Sequence, residues 1–360
     1  VPSKISVSDV DVLIVGGGIA GWSAAWFAAR AGREVVVVDE GFHRASDLPV
    51  ALINPLRGHA GRLVADGVDG MHATFALIDA LRAAGHRVVA GRGLFRPLVD
   101  LPPAASSEAF WTEPIGARLA VDWHAIAPAS LGLARSVPSL YLRDAGWVEP
   151  HGLLAALAAD SGAHRSSDRV TTIAADGCGG GTVTVASGSS LRARSLLWCG
   201  GAWGAALIDR AAHDLGDTVH DALYKPGTLV AVEGRLSEQP MSFGLYVASL
   251  PQSASDGPRS LIGPTREGSC ATFPEGPVPS AAVGHLEDRV AGLFGRTMQA
   301  SEAWRGVRLA RLSSAAQRVL HEVPALTALG SRGFLMAPLL AHRWMSSWSA
   351  SSSASSSASL

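Results

Sequence analysis

Residues 11–40 constrain the fold more than any other stretch of this chain. An apolar run, residues 11–15, ends in Gly16-Gly17-Gly18-Ile19-Ala20-Gly21, and residues 19–30 continue with helix-compatible alanine, tryptophan and phenylalanine until Gly32. Residues 34–38, Glu-Val-Val-Val-Val, follow as a buried strand. Strand, tight turn, helix and strand make a βαβ unit, and uniformly apolar strands suit a parallel sheet covered on both faces. A membrane span over the uncharged run 12–29 is the competing reading, but three glycines interrupt it at its middle.

The turn has the spacing G-x-G-x-x-G, directly after a strand and into a helix. Gly16 meets the demand of the tight turn, Gly18 lets a pyrophosphate approach the backbone, and Gly21 lets helix and strand pack closely. The helix start at Ile19 and Ala20 offers free N–H groups and a positive dipole end to phosphates. Asp39 ends the second strand at the spacing where a carboxylate accepts hydrogen bonds from adenosine ribose hydroxyls. Glu40 is grouped with the same candidate site, a solvated charge being the plainer reading. The fingerprint predicts a dinucleotide and does not choose between NAD and FAD. No second G-x-G-x-x-G follows, which argues against a disulfide-reductase architecture, and neither HExxH nor G-x-S-x-G occurs.

A chain of 360 residues suggests two domains at roughly 150 residues each. Residues 171–175 and 182–186 read as a hairpin around a glycine-rich turn, and residues 195–199 as a further sheet strand. Residues 87–97, 118–124, 140–148, 228–232, 241–250 and 260–263 have strand character, and residues 282–294 helical character. The expected class is α/β: a Rossmann-like nucleotide-binding domain (8–84, 150–220 and 301–345) with an inserted, mainly antiparallel β-sheet substrate domain (85–149 and 221–300). Residues 346–360 contain ten serines and are expected to form a disordered tail.

Composition narrows the function classes. Hydrophobic residues at 48% and charged residues at 17% describe a globular protein, and a net charge of -1 argues against a dominant surface for nucleic acid or membrane. Lys4 and Lys225 are the only lysines, so Schiff-base chemistry would rest on Lys225. Cys178, Cys199 and Cys270 lie far apart in no CxxC pair, so neither disulfides nor a zinc site is expected, and a reducing cytoplasm is the expected location. The first ten residues lack a secretory pattern. His59, His72, His86, His124, His151 and His164 show no metal-like spacing, and no metal site is expected.

Other pieces follow the βαβ unit in a telling order. They are Gly146-Trp147-Val148-Glu149-Pro150, Leu196-Leu197-Trp198-Cys199-Gly200-Gly201-Ala202-Trp203, Leu261-Ile262-Gly263-Pro264-Thr265, Trp304-Arg305-Gly306-Val307-Arg308, and the stretch from Gly330-Ser331-Arg332-Gly333-Phe334 to Ala337-Pro338. In this order the chain resembles the D-amino-acid-oxidase-like FAD oxidoreductases over most of residues 10–345. Within that family the last piece is similar to the flavin domain of the bifunctional bacterial enzyme that builds methylaminomethyl-uridine in tRNA. The other pieces are similar to glycine oxidase.

The resemblance implies non-covalent FAD. Gly16, Gly18, Ile19, Ala20, Gly21 and Asp39 would hold its ADP half, Ser46 the pyrophosphate side and Val170 the adenine, while Gly200, Gly201 and Trp203 would close the far side. Gly330, Ser331, Arg332, Gly333 and Phe334 would open the last helix, with backbone N–H groups facing the flavin pyrimidine edge where a helix dipole favours negative charge. An ordinary loop-to-helix junction is the competing reading there. Asn54, in Asn54-Pro55-Leu56-Arg57-Gly58, would position the cofactor or cap a turn. Arg308 would clamp a substrate carboxylate with its planar fork. Tyr246 would place a hydroxyl near substrate, or be a buried strand tyrosine.

Some positions depart from the family pattern. Ala51 replaces a glycine, Leu312-Ser313-Ser314-Ala315 replaces a Thr-Pro-Asp turn, and Lys225 replaces an arginine. No cysteine follows Arg308 closely, so a covalent flavin link is not expected, and the serine tail is expected to cut the last helix short. The implied activity is oxidation of the C–N bond of a small amine or amino acid by hydride transfer to flavin N5, then imine hydrolysis. Two alternatives stand beside it: oxidative removal of a carboxymethyl group from a tRNA wobble uridine, and a non-catalytic FAD-binding relative.

Overall fold

The computed structural model describes residues 9–58, 61–99, 107–111, 118–216, 221–251 and 257–357. The chain begins with β1 (Asp9–Val15), α1 (Ile19–Arg30) and β2 (Val35–Val38), the βαβ unit read from the sequence. It continues through β3 (Ala51–Ile53), the small hairpin β4 (Leu56–Arg57) and β5 (Arg62–Leu63), helix α2 (Gly67–Ala83), β6 (Ala90–Pro97), β7 (Val121–His124) and β8 (Ser139–Val148). Then come α3 (Pro150–Ser161), β9 (His164–Ser166), β10 (Val170–Ala175), β11 (Gly181–Val185), β12 (Ser190–Trp198) and α4 (Gly201–Asp214). The last third holds β13 (Leu223–Glu233), β14 (Met241–Ser242), β15 (Tyr246–Ser249), β16 (Arg259–Gly263), α5 (Ser280–Phe294), β17 (Ala300–Arg311), α6 (Ser314–Val319) and α7 (Gly333–Ser357).

Two sheets organise these elements. A six-stranded sheet runs β10-β11-β12-β1-β2-β9, parallel from β12 to β9, with β10 to β12 as an antiparallel meander. A nine-stranded sheet runs β17-β13-β16-β15-β14-β6-β8-β3 with β7 on β8, antiparallel except between β14 and β6. The apolar strands follow from coverage on both sides. Val12 and Ile14 of β1 enter the cluster under α1 and α3, whereas Leu13 and Val15 enter the cluster shared with the meander. Burying each such side chain contributes about 1.5–3 kcal/mol.

Helix α2 was not read from the sequence, although its signal is there. Val68, Met71, Phe75, Ile78 and Leu81 recur at helical spacing and are all buried. α3 also carries a local signal, Glu149 accepting from the His151 and Gly152 N–H groups at 2.8 and 2.6 Å, with Pro150 in the first turn.

Helix α7 packs on α1 and α2 and contains Pro338, which has no N–H to offer the Phe334 carbonyl four residues back. The buried Thr74 hydroxyl of α2 stands in, lying 3.0 Å from that carbonyl and 2.9 Å from the Gly70 carbonyl. Replacing it by an isosteric apolar group, Thr74→Val, is expected to lower stability by about 1–3 kcal/mol, read as a lower urea midpoint at unchanged m-value.

The structure differs from the sequence reading at several places. The single strand expected over 241–250 is two strands, because Gly244 reverses the chain at φ +102. β17, whose residues from 301 onward were assigned to the nucleotide-binding domain, is an edge of the nine-stranded sheet and pairs with β13 along almost its whole length. The serine-rich segment, expected to be disordered and to shorten the last helix, is helical to Ser357. Residues 339–357 hold no glycine or proline, and serine carries only a moderate helix penalty once packed turns upstream have nucleated the helix. Residues 358–360 of that tail, and His59, lie outside the described residues. Among the described residues no helix is long and apolar enough to cross a membrane.

Candidate functional site

One cavity of about 1090 Å³ collects the β1–α1 turn, the loop after β2, the starts of β10 and α4, the strands β13 and β17 and the segment that opens α7. It exceeds the roughly 300–1,000 Å³ usual for small-molecule sites. Every candidate cofactor or substrate residue named in the sequence lines it except Gly21.

The glycines of the turn divide the work. Gly16 has φ +103, and a Cβ on it would lie 2.5 Å from the Cys199 carbonyl oxygen. A Cβ on Gly21 would come within 1.8 Å of the Gly16 oxygen, so Gly21 sits behind the turn as a close helix–strand contact. Gly17, which the motif leaves unspecified, is forced by Asp39, whose carboxylate would be 2.7 Å from its Cβ. Gly18 alone faces open space, with only the Ser46 hydroxyl nearby, 3.3 Å from its would-be Cβ. A pyrophosphate has room there to approach the backbone. Ser46 Oγ also accepts from the Ile19 N–H at 3.1 Å, capping the helix start beside Ala20.

Asp39 is buried and carries two arginines that the sequence reading missed, Arg44 at 3.2 Å and Arg165 at 3.5 Å. Glu40 is not simply solvated: it accepts from the Trp203 indole N–H at 2.6 Å. Trp203 lies against His43 and Phe273, with the Arg210 guanidinium over its ring. Val170 supplies an apolar wall, and Gly200 and Gly201 lead into α4. A Cβ on Gly200 would meet the Trp198 ring at 2.5 Å.

At the other end, Gly330 has φ +59, and Gly330, Ser331 and Arg332 form one 3-10 turn that runs into Gly333 and Phe334 at the start of α7. A Cβ on Gly333 would stand 3.4 Å from Ile19 Cγ2, so the starts of α1 and α7 lie side by side on the same cavity. Asn54 uses its side-chain oxygen to accept from the Leu56 N–H at 2.9 Å, which makes it a turn cap that also lines the cavity.

Arg308 projects from β17, opposite Lys225 of β13 in the ladder. Its Nε donates to the Lys225 carbonyl at 3.3 Å and its Nη2 to the Pro226 carbonyl at 3.1 Å, which fixes the guanidinium plane. Burial lowers its pKa, with Tyr246 and Glu267 opposing and Arg57 and Arg266 reinforcing, yet an arginine remains a cation at neutral pH. The Tyr246 hydroxyl donates to the Val50 carbonyl at 3.1 Å, and burial raises its pKa, so it stays protonated. Beside them Glu267 accepts from Arg305 at 3.1 Å, Thr228 at 2.8 Å and Thr265 at 3.1 Å. The sequence reading passed over Glu267 and Arg305, although both lie within or just after the Gly-Pro-Thr and Trp-Arg-Gly-Val-Arg pieces.

Two departures from the family pattern acquire local roles. Ser313 caps α6, accepting from the Ala316 N–H at 2.9 Å, and Ala51 is a buried β3 residue paired with Val148. Cys199 is buried, which pushes its thiol pKa far up, so it offers no reactive thiolate. Among the described residues no group of three His, Cys, Asp or Glu is placed to hold a metal.

A cavity that runs from the buried Asp39 carboxylate past a glycine turn to a second helix start suits a dinucleotide, and its residues fit FAD: N–H donors and open space at Gly18, acceptors at Asp39, a helix start at Gly333. These features define the chain as a dinucleotide-binding protein of the Rossmann type. The FAD dependent oxidoreductase (DAO) family matches residues 11–348, and the chain belongs to that family. FAD is its cofactor. The fold is similar to glycine oxidase from Geobacillus kaustophilus, at 22% identity over 92% of each chain and a TM-score of 0.72. It is also similar to iminodiacetate oxidase from Chelativorans sp. BNC1, at 19% identity over 92% of this chain and 93% of that one, TM-score 0.68. L-proline dehydrogenase from P. horikoshii shares 14% identity over 93% and 92% of the two chains, TM-score 0.71. At such identities the likeness carries the fold alone. No curated protein sequence matches the chain.

Proposed function

We propose that this chain oxidises the C–N bond of a small amine or amino acid that carries a carboxylate. The observation that carries the reading is Arg308, a half-buried guanidinium pinned to two β13 carbonyls, with Nη1 in no hydrogen bond among the described residues, on the same cavity as both helix starts. FAD, when bound, supplies the acceptor for the hydride leaving the carbon next to nitrogen. Gly16, Gly18, Ile19, Ala20, Asp39 and Ser46 hold the adenosine and pyrophosphate part, with Val170, Gly200, Gly201 and Trp203 around it. Residues 330–334 hold the other end, where the α7 dipole favours negative charge.

Arg308 binds the substrate carboxylate and so orients the amine-bearing carbon, an orientation worth more to such a transfer than a protein base. Tyr246, protonated and tied to Val50, shapes the wall beside it. Water hydrolyses the product imine to a carbonyl and an amine. In this reading the six-stranded sheet carries the cofactor, and the nine-stranded sheet, through β13 and β17, the substrate. The cytoplasm suits the three free cysteines. The non-catalytic reading leaned on a shortened last helix, and α7 instead continues with its proline gap filled by Thr74.

The test is product analysis. Carbonyl product released from glycine or another small amino acid, glyoxylate in the case of glycine, supports the proposal. Turnover confined to carboxymethylaminomethyl-modified tRNA sinks it.

A further inference from the structure

The Arg308 end of the cavity carries more positive charge than one carboxylate balances. Arg57, Lys225, Arg266 and Arg308 all line it, and among the described residues none of the four is in an ion pair. Glu267 is already committed to Arg305, Thr228 and Thr265. The Arg266 guanidinium reaches the Arg57-Gly58 turn, its Nη2 lying 3.8 Å from where a Cβ on Gly58 would stand. Both Arg57 and Arg266 are close enough to repel the Arg308 charge.

A cleft lined by one sign of charge focuses its field and concentrates the opposite ion. The FAD pyrophosphate does not account for these charges. Its place is the glycine turn of the six-stranded sheet, whereas these four cations come from the nine-stranded sheet, its loops and the β4–β5 hairpin. A carboxylate on Arg308 neutralises one of them, and Arg57, Lys225 and Arg266 remain.

We propose that the substrate is a dicarboxylate, an amine or amino acid whose first carboxylate sits on Arg308 and whose second sits on Arg266 and Arg57. This rests on the oxidase reading above and names the substrate class of that site. A second planar fork meeting a second carboxylate adds charge-assisted hydrogen bonds, and the selectivity follows from them.

Calorimetric titration of the FAD-loaded protein with succinate and with butyrate, matched in carbon number, tests it without turnover. Succinate is expected to bind at least about tenfold more tightly, with an advantage that shrinks as salt rises. Arg266→Gln, a change at an exposed side chain, is expected to bring the ratio of the two affinities close to one. Equal affinities in the unmutated protein, no succinate binding, or a preference that survives Arg266→Gln each overturn the proposal. Turnover of glycine and of aspartate on the same preparation separates the two claims. Amino-acid oxidation without a succinate preference overturns the dicarboxylate inference and leaves the oxidase reading standing; a succinate preference without turnover of any amine does the reverse.

Discussion

Arg308→Ala is expected to lower kcat/KM for a carboxylate-bearing amine by about 10²–10³-fold, the scale of losing one charged, hydrogen-bonded anchor in a partly buried site. KM should rise because the anchor is gone. kcat should fall as well, because the carbon that gives up hydride is no longer held over the acceptor. Arg308→Lys should recover little, since a point charge cannot reproduce a fork whose Nε and Nη2 are already spent on Lys225 and Pro226. FAD content should not change, as the glycine turn lies on the other sheet and the β13–β17 ladder is made by backbone groups. Kinetics unchanged by Arg308→Ala would remove the residue from the site.

Gly18→Ala is expected to weaken FAD binding by about 100-fold or more while leaving the stability of the cofactor-free protein within about 0.5 kcal/mol. Gly18 has φ -77, ordinary for any residue, and its would-be Cβ meets only the Ser46 hydroxyl at 3.3 Å. The protein can therefore accept the methyl group, and a phosphate approaching the backbone at Gly18 and the Ala20 N–H cannot. Gly21→Ala makes the contrast. Its Cβ would lie 1.8 Å from the Gly16 oxygen, so fold and cofactor should be lost together. Flavin fluorescence titration and thermal unfolding of the cofactor-free forms measure both. Equal FAD affinity in Gly18→Ala would show that the pyrophosphate does not approach the backbone at this glycine.

Local requirements were legible in the sequence and distant ones were not. The turn from Gly16 to Gly21 depends on backbone geometry and close packing within a few residues, and its meaning survives in a short string. α2 was equally legible, through Val68, Met71, Phe75, Ile78 and Leu81, and went unread. Arg308 and the segment from Gly330 to Phe334 were reached only through the family resemblance, because a lone arginine in a strand or a glycine before a helix has no spacing that declares its partner. Asp39 was read as a ribose acceptor, but its arginine at position 165 comes from β9, far along the chain, and only the parallel pairing of β2 with β9 brings the two together. The same holds for Thr74 filling the gap left by Pro338, an interaction across 260 residues. The serine tail misled because composition reports a shortage of apolar surface and says nothing of a helix already nucleated upstream.

The most direct measurement is the visible spectrum of the FAD-loaded protein, recorded without oxygen before and after adding small amino acids. Flavin absorption is expected that is bleached by at least one carboxylate-bearing amine, with the flavin released as free FAD on unfolding. A protein that stays colourless after incubation with FAD, or a flavin spectrum that no small amine bleaches, would contradict it.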